Sequence, residues 1–198
     1  MSTVRRAQKT SRSEVTLIDP MRVFRQALRF RASIHVLHQH ALDTWIAPAE
    51  QGDVTYHGIT ERPPTLIVAV TLEPFCLELL LKTICLIEGQ LPPDTHKPDV
   101  LFKNLPRPWK DRLRAGYTDG LTRFKQAPGF PPVPDSLDET LKSTSDSFEF
   151  WRYAFDRELP PTYLFAAVET TITEILKARP EWWDLYKQLI PPRAFPNA

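Results

Sequence analysis

Between Leu66 and Ile87 the chain is almost unbroken apolar residues, and the fate of that stretch constrains the fold more than any other feature. It carries Glu73, Glu78 and Lys82, together with Pro74. Each such charge costs about 2.5–3.5 kcal/mol at the centre of a bilayer, so a buried helix is expected rather than a membrane span. Its apolar residues lie on nearly every side, which places it at the centre of a core. Thr65–Thr71 is rich in β-branched residues, and a strand there is the alternative. From Phe75 onward the pattern is helical, with Pro74 kinking the helix or starting a shorter one. Gly89 supplies a C-terminal cap, and Pro92 and Pro93 prevent continuation.

Proline punctuates the rest. The chain has 20 prolines but only 6 glycines in 198 residues, which implies stiff connections between helices. Pro20 can open a first helix, because a proline in the first turn loses no hydrogen bond. Val23, Ala27, Phe30, Ile34, Leu37, Ala41 and Trp45 recur at helical spacing and predict one apolar stripe ending near Ile46. Further helices are predicted over 65–88, 98–104, 109–125, 137–158, 162–178 and 181–189, with Asp135 or Ser136 capping the fifth. These elements specify an all-α, up-and-down bundle of five to seven helices. Residues 20–190 are expected to form one domain, between a flexible basic tail over 1–19 and an irregular tail over 191–198.

Composition narrows the function. The formal charge of +1 provides no global field to recruit nucleic acid or membrane, so any such contact needs a local patch. Cys76 and Cys85 fall on one predicted helix roughly 13 Å apart and on opposite faces, too far to pair. Two isolated thiols in an apolar helix fit a reducing compartment, and the absence of an apolar leader in the first residues fits a cytoplasmic protein. Phosphate-binding glycine loops, nucleophile elbows and paired-histidine metalloprotease motifs do not occur, and no cofactor or metal is expected. His35 and His38, three residues apart on a helix, lack the further ligands a metal site needs.

One ordered set of residues carries more. Leu77-Glu78-Leu79-Leu80-Leu81-Lys82, Leu86-Ile87-Glu88-Gly89, Thr95-His96, Leu101-Phe102 and Leu105-Pro106 follow one another, and Phe148 to Tyr153 reads Phe-Glu-Phe-Trp-Arg-Tyr. This order resembles the HEPN family (higher eukaryotes and prokaryotes nucleotide-binding), with Thr95 where the family usually has glycine. The resemblance implies a helical bundle acting in dimers or with a cognate protein, in defence, toxin–antitoxin or nucleotidyltransferase systems. It also implies a nucleotide or RNA pocket, for which Glu78, Lys82, His96, Arg152 and Tyr153 are the candidates. On residues alone, Glu78 and Lys82 form a favourably oriented helical ion pair. Charges on so apolar a helix need partners, and His96 and Arg152 can supply them. A satisfied polar cluster that fixes helix packing and a phosphate pocket are both compatible with this pattern.

Many HEPN proteins are metal-independent ribonucleases, using an arginine a few residues ahead of a histidine. Such chemistry needs a histidine to move the 2′-hydroxyl proton and an arginine to stabilise the phosphorane. Arg29 and His35 are separated by five residues, and Arg31 and His38 by six. Both pairs lie in the first helix, whereas the family places its motif late, where Arg152, Arg157 and Arg179 have no matching histidine. No catalytic residue is therefore assigned. The aromatic residues from Trp151 to Tyr186 are interleaved with carboxylates and read as core and interface packing rather than a base-stacking platform. The expectation is a non-catalytic HEPN-like module for dimerisation or docking, with a ribonuclease and a ligand-free structural protein as alternatives.

Overall fold

The computed structural model describes residues 18–41, 43, 64–124, 134–145 and 164–190. Seven α-helices and no strand are found among them: α1 (Pro20–Ala41), α2 (Pro64–Ile87), α3 (Pro98–Asn104), α4 (Arg107–Phe124), α5 (Leu137–Thr144), α6 (Leu164–Ala178) and α7 (Trp183–Leu189). A short 3₁₀ turn, Pro180–Trp182, leads into α7. The chain is an all-α bundle, and no described helix is long and apolar enough to cross a membrane.

The β-branched start of α2 is helical, and Pro74 lies inside one continuous element. The core explains why burial overrides β-propensity here: Ala69, Cys76, Leu77, Leu80, Leu81, Ile84 and Cys85 are buried, and α2 packs on α1, α3 and α6. Both thiols are free and buried, and Cys76 Sγ–H donates to the Ala27 carbonyl at 3.3 Å. At the far end Gly89 adopts φ +68°; its N–H bonds the Leu86 carbonyl at 3.0 Å and the Gln90 N–H bonds the Cys85 carbonyl at 2.8 Å. Those paired bonds satisfy carbonyls that the helix end would otherwise orphan. Ser136 Oγ accepts from the Glu139 N–H at 3.2 Å, making Ser136 the cap of α5.

The buried face of α1 is rotated from the expected stripe. Phe24, Ala27, Leu28 and Ile34 are fully buried, while Val23 and Phe30 sit at the edge. That face packs mainly on α2, and at its start the Trp182 ring stacks on Phe24 with centroids 5.2 Å apart. The predicted fifth helix, 137–158, instead ends at Thr144, where the Ser145 N–H turns back to the Lys142 carbonyl and closes the helix end; the predicted end of the first helix near Ile46 lies outside the described residues, as do 1–17 and 191–198 of the predicted tails.

Two helices meet through glycine. Gly116 and Gly120 of α4 both face Thr170 of α6. A Cβ at Gly116 would stand 2.7 Å from Thr170 Cγ2, whereas one at Gly120 would stand 3.9 Å from Thr170 Oγ1. Alanine gains about 1 kcal/mol of helix propensity over glycine at either site. Gly120→Ala should therefore raise the melting temperature. Gly116→Ala should lower it through overlap costing about 1–3 kcal/mol, and adding Thr170→Ser should recover most of that loss. Thermal unfolding of the three variants checks the order.

Candidate functional site

Two charged clusters are built on α2, one on each side of Pro74. The first gathers residues singled out by sequence. Glu78 is buried on α2, and its Oε1 accepts from Lys82 Nζ at 2.7 Å, one turn along. His96 Nδ1 approaches the two carboxylate oxygens at 3.1 and 3.2 Å, from the proline-rich turn before α3. Glu78 thus engages both Lys82 and His96. Beside it, Trp109 Nε1–H donates to Glu88 Oε1 at 2.7 Å, tying α4 to the end of α2. The cluster clasps the returning chain to the central helix. Arg152 and Tyr153, the other two candidates for this pocket, lie outside the described residues.

The second cluster is deeper. Arg31 is only 2% exposed, although it is an arginine on the core face of α1. Its Nε–H donates to Glu169 of α6 in a close ion pair, and its guanidinium lies 4.7 Å from the ring centre of Phe165. Glu73 of α2 is equally buried, at 2% exposure. Burial pushes its carboxyl up to about 8, against the opposing pull of Arg31 and a hydrogen bond from the Leu164 backbone N–H at the start of α6. Glu73 is therefore mostly protonated at neutral pH. His38 Nε2 stands 3.7 Å from Glu73 Oε1, beside the same Phe165 ring. Its pKa is lowered by burial, then by Arg31 and His35, which favours the neutral imidazole. Arg31 Nη1 and Glu73 Oε2 have no hydrogen-bond partner among the described residues.

No family model, curated protein or solved structure matches this chain. Its chemistry must be read from these two clusters.

The structure separates the two arginine–histidine pairs. Arg29 and His35 are six positions apart, hence about 120° apart around α1, and Arg29 faces solvent. Arg31 and His38 share one face two turns apart, and Glu73 lies beside both. A neutral imidazole next to a neutral carboxyl is the kind of arrangement that serves acid–base chemistry. Phosphate recognition needs surplus positive charge as well, and here the guanidinium is matched by the Glu169 carboxylate and covered by Phe165. Among the described residues, no group of three or more histidine, cysteine or acidic side chains has metal-binding geometry.

Sequence reasoning missed Glu73, Phe165 and Glu169. Glu73 was visible only as a charge in an apolar helix, which is itself the signal of a buried partner. Arg31 occupies a helical core position, three residues after Leu28 and three before Ile34, and that spacing was the available clue to its burial.

Proposed function

We propose that this chain is a non-catalytic helical module of the HEPN type that works by docking a protein partner. One observation carries the reading. The charged groups from which a phosphate site or a nuclease centre would be built are already matched inside the bundle. Glu78 engages Lys82 and His96, and Glu169 engages Arg31. A nucleotide phosphate at Lys82 and His96 would have to displace a buried carboxylate from both, leaving that carboxylate unpaired at a cost of several kcal/mol. A scissile phosphate at Arg31 would have to displace both Glu169 and Phe165. These groups hold helices together, which leaves the outer faces for function.

Incubation of the purified chain with mixed single-stranded RNA, without metal, tests this reading. Cleavage by wild type and by His38→Ala is expected to equal the buffer blank. Cleavage that His38→Ala or His35→Ala abolishes would replace docking with a ribonuclease built on Arg31 or Arg29.

A further inference from the structure

The arginines whose side chains are described fall into two groups. Arg31, Arg107, Arg112, Arg114 and Arg179 each approach a carboxylate oxygen within 3.7 Å. Arg22, Arg25 and Arg29 make no ion pair among the described residues, and all three are exposed on α1. They stand at i, i+3 and i+7, so they line one stripe about 60° wide and about 10 Å long. Val36, 64% exposed, continues the same stripe two turns further on. No aspartate or glutamate occurs anywhere in α1.

The fold gains nothing from this arrangement. Like charges three and four residues apart destabilise a helix by a few tenths of a kcal/mol per pair. Cations in the N-terminal turns also oppose the helix dipole; Asp19, just ahead of α1, accepts from the Met21 N–H at 2.9 Å and caps the helix, but it forms no ion pair with Arg22 among the described residues. Elsewhere on the described surface the bundle supplies its arginines with carboxylates; here it leaves a row of charge open.

We propose that this outward face of α1 docks an acidic helical segment of a partner protein. The proposal rests on the docking reading above and names its surface. Carboxylates at i, i+3 or i+4, and i+7 of the incoming helix would meet Arg22, Arg25 and Arg29, and an apolar side chain would cover Val36. A two-fold contact of this face with itself in a second copy is excluded as the occupant, because it would set arginine against arginine. Nucleic acid fits less well. Three cations on a chain of net charge +1 hold a phosphate backbone weakly, and Val36 has no use there.

The probe is a fluorescent three-heptad helical peptide with glutamates at the positions facing the stripe and one leucine opposite Val36. Anisotropy titration should show binding to wild type. Binding should be weakened roughly 30-fold or more in the Arg22→Glu/Arg25→Glu/Arg29→Glu variant. A peptide with lysines in place of the glutamates should show the reverse preference. These residues are exposed and glutamate suits the N-terminal turns of a helix, so the variant should melt at or slightly above the wild-type temperature, which reports that it is folded. Equal affinity of the acidic peptide for both proteins overturns the proposal. So does tighter, stripe-dependent binding of a single-stranded RNA or duplex oligonucleotide. Either result, without RNA cleavage, leaves the docking reading standing, whereas cleavage removes that reading independently of the peptide result.

Discussion

Replacing Arg31 with alanine is expected to destabilise the bundle by about 3–5 kcal/mol, the range seen when one member of a buried ion pair is removed. Arg31 comes from α1, Glu169 from α6 and Glu73 from α2, so one guanidinium stands where three helices meet. Alanine removes the charge that balances Glu169. It also takes away the aliphatic stem and the planar group lying over Phe165, leaving a cavity against the ring. Arg31→Met keeps most of that volume and isolates the electrostatic part of the loss. Combining Arg31→Met with Glu169→Leu should recover most of the stability, because a well-packed apolar pair avoids the desolvation cost of two charges. Urea unfolding at pH 7 reads the series. The alanine variant should lose about 1–2 M in midpoint, and the double variant should lie close to wild type. An alanine variant within about 1 kcal/mol of wild type would show that this arginine is solvated rather than central.

Much of the fold was legible because its signals are local. Gly89 and Pro92 stop α2, Ser136 starts α5, and the charges in an apolar run predicted that Glu78 would need Lys82 and His96. Each of those inferences joins residues close in sequence or forced together by a turn. The Arg31 cluster joins positions 31, 73 and 169, and no local pattern links them. Periodicity counts apolar side chains, so an arginine at a core position reads as surface, and the stripe on α1 was placed through Val23 and Phe30 instead of Phe24 and Leu28. A long aliphatic stem with a matched head is physically equivalent to a core residue, but only the partner on α6 reveals it. The same blindness hid the open row on α1. Its arginines stand out only after the partners of Arg107, Arg112, Arg114 and Arg179 are known.

Glu73→Gln is expected to stabilise the protein at alkaline pH by several kcal/mol, of order 3–5, while leaving stability near pH 4.5 little changed. The folded carboxyl titrates near 8, raised from 4.5 chiefly by burial. Between those values the unfolded chain has released a proton that the native state retains. The contribution of Glu73 is thus fully present below about 4.5 and is lost progressively as pH rises through about 8. Glutamine is neutral in both states and removes that dependence. His38 acts in the opposite sense: its lowered pKa withdraws stability as pH falls below 6.5, when the unfolded imidazole protonates first. The two groups, 3.7 Å apart, therefore act in opposite directions, His38 penalising acid below 6.5 and Glu73 penalising alkali up to about 8. Urea midpoints measured from pH 5 to 9 should diverge between wild type and Glu73→Gln as pH increases, and carboxyl-carbon NMR should place the Glu73 transition near 8. Parallel profiles, or a Glu73 transition at the ordinary carboxylate value, would mean that water reaches this carboxyl and that the junction of α1, α2 and α6 is open.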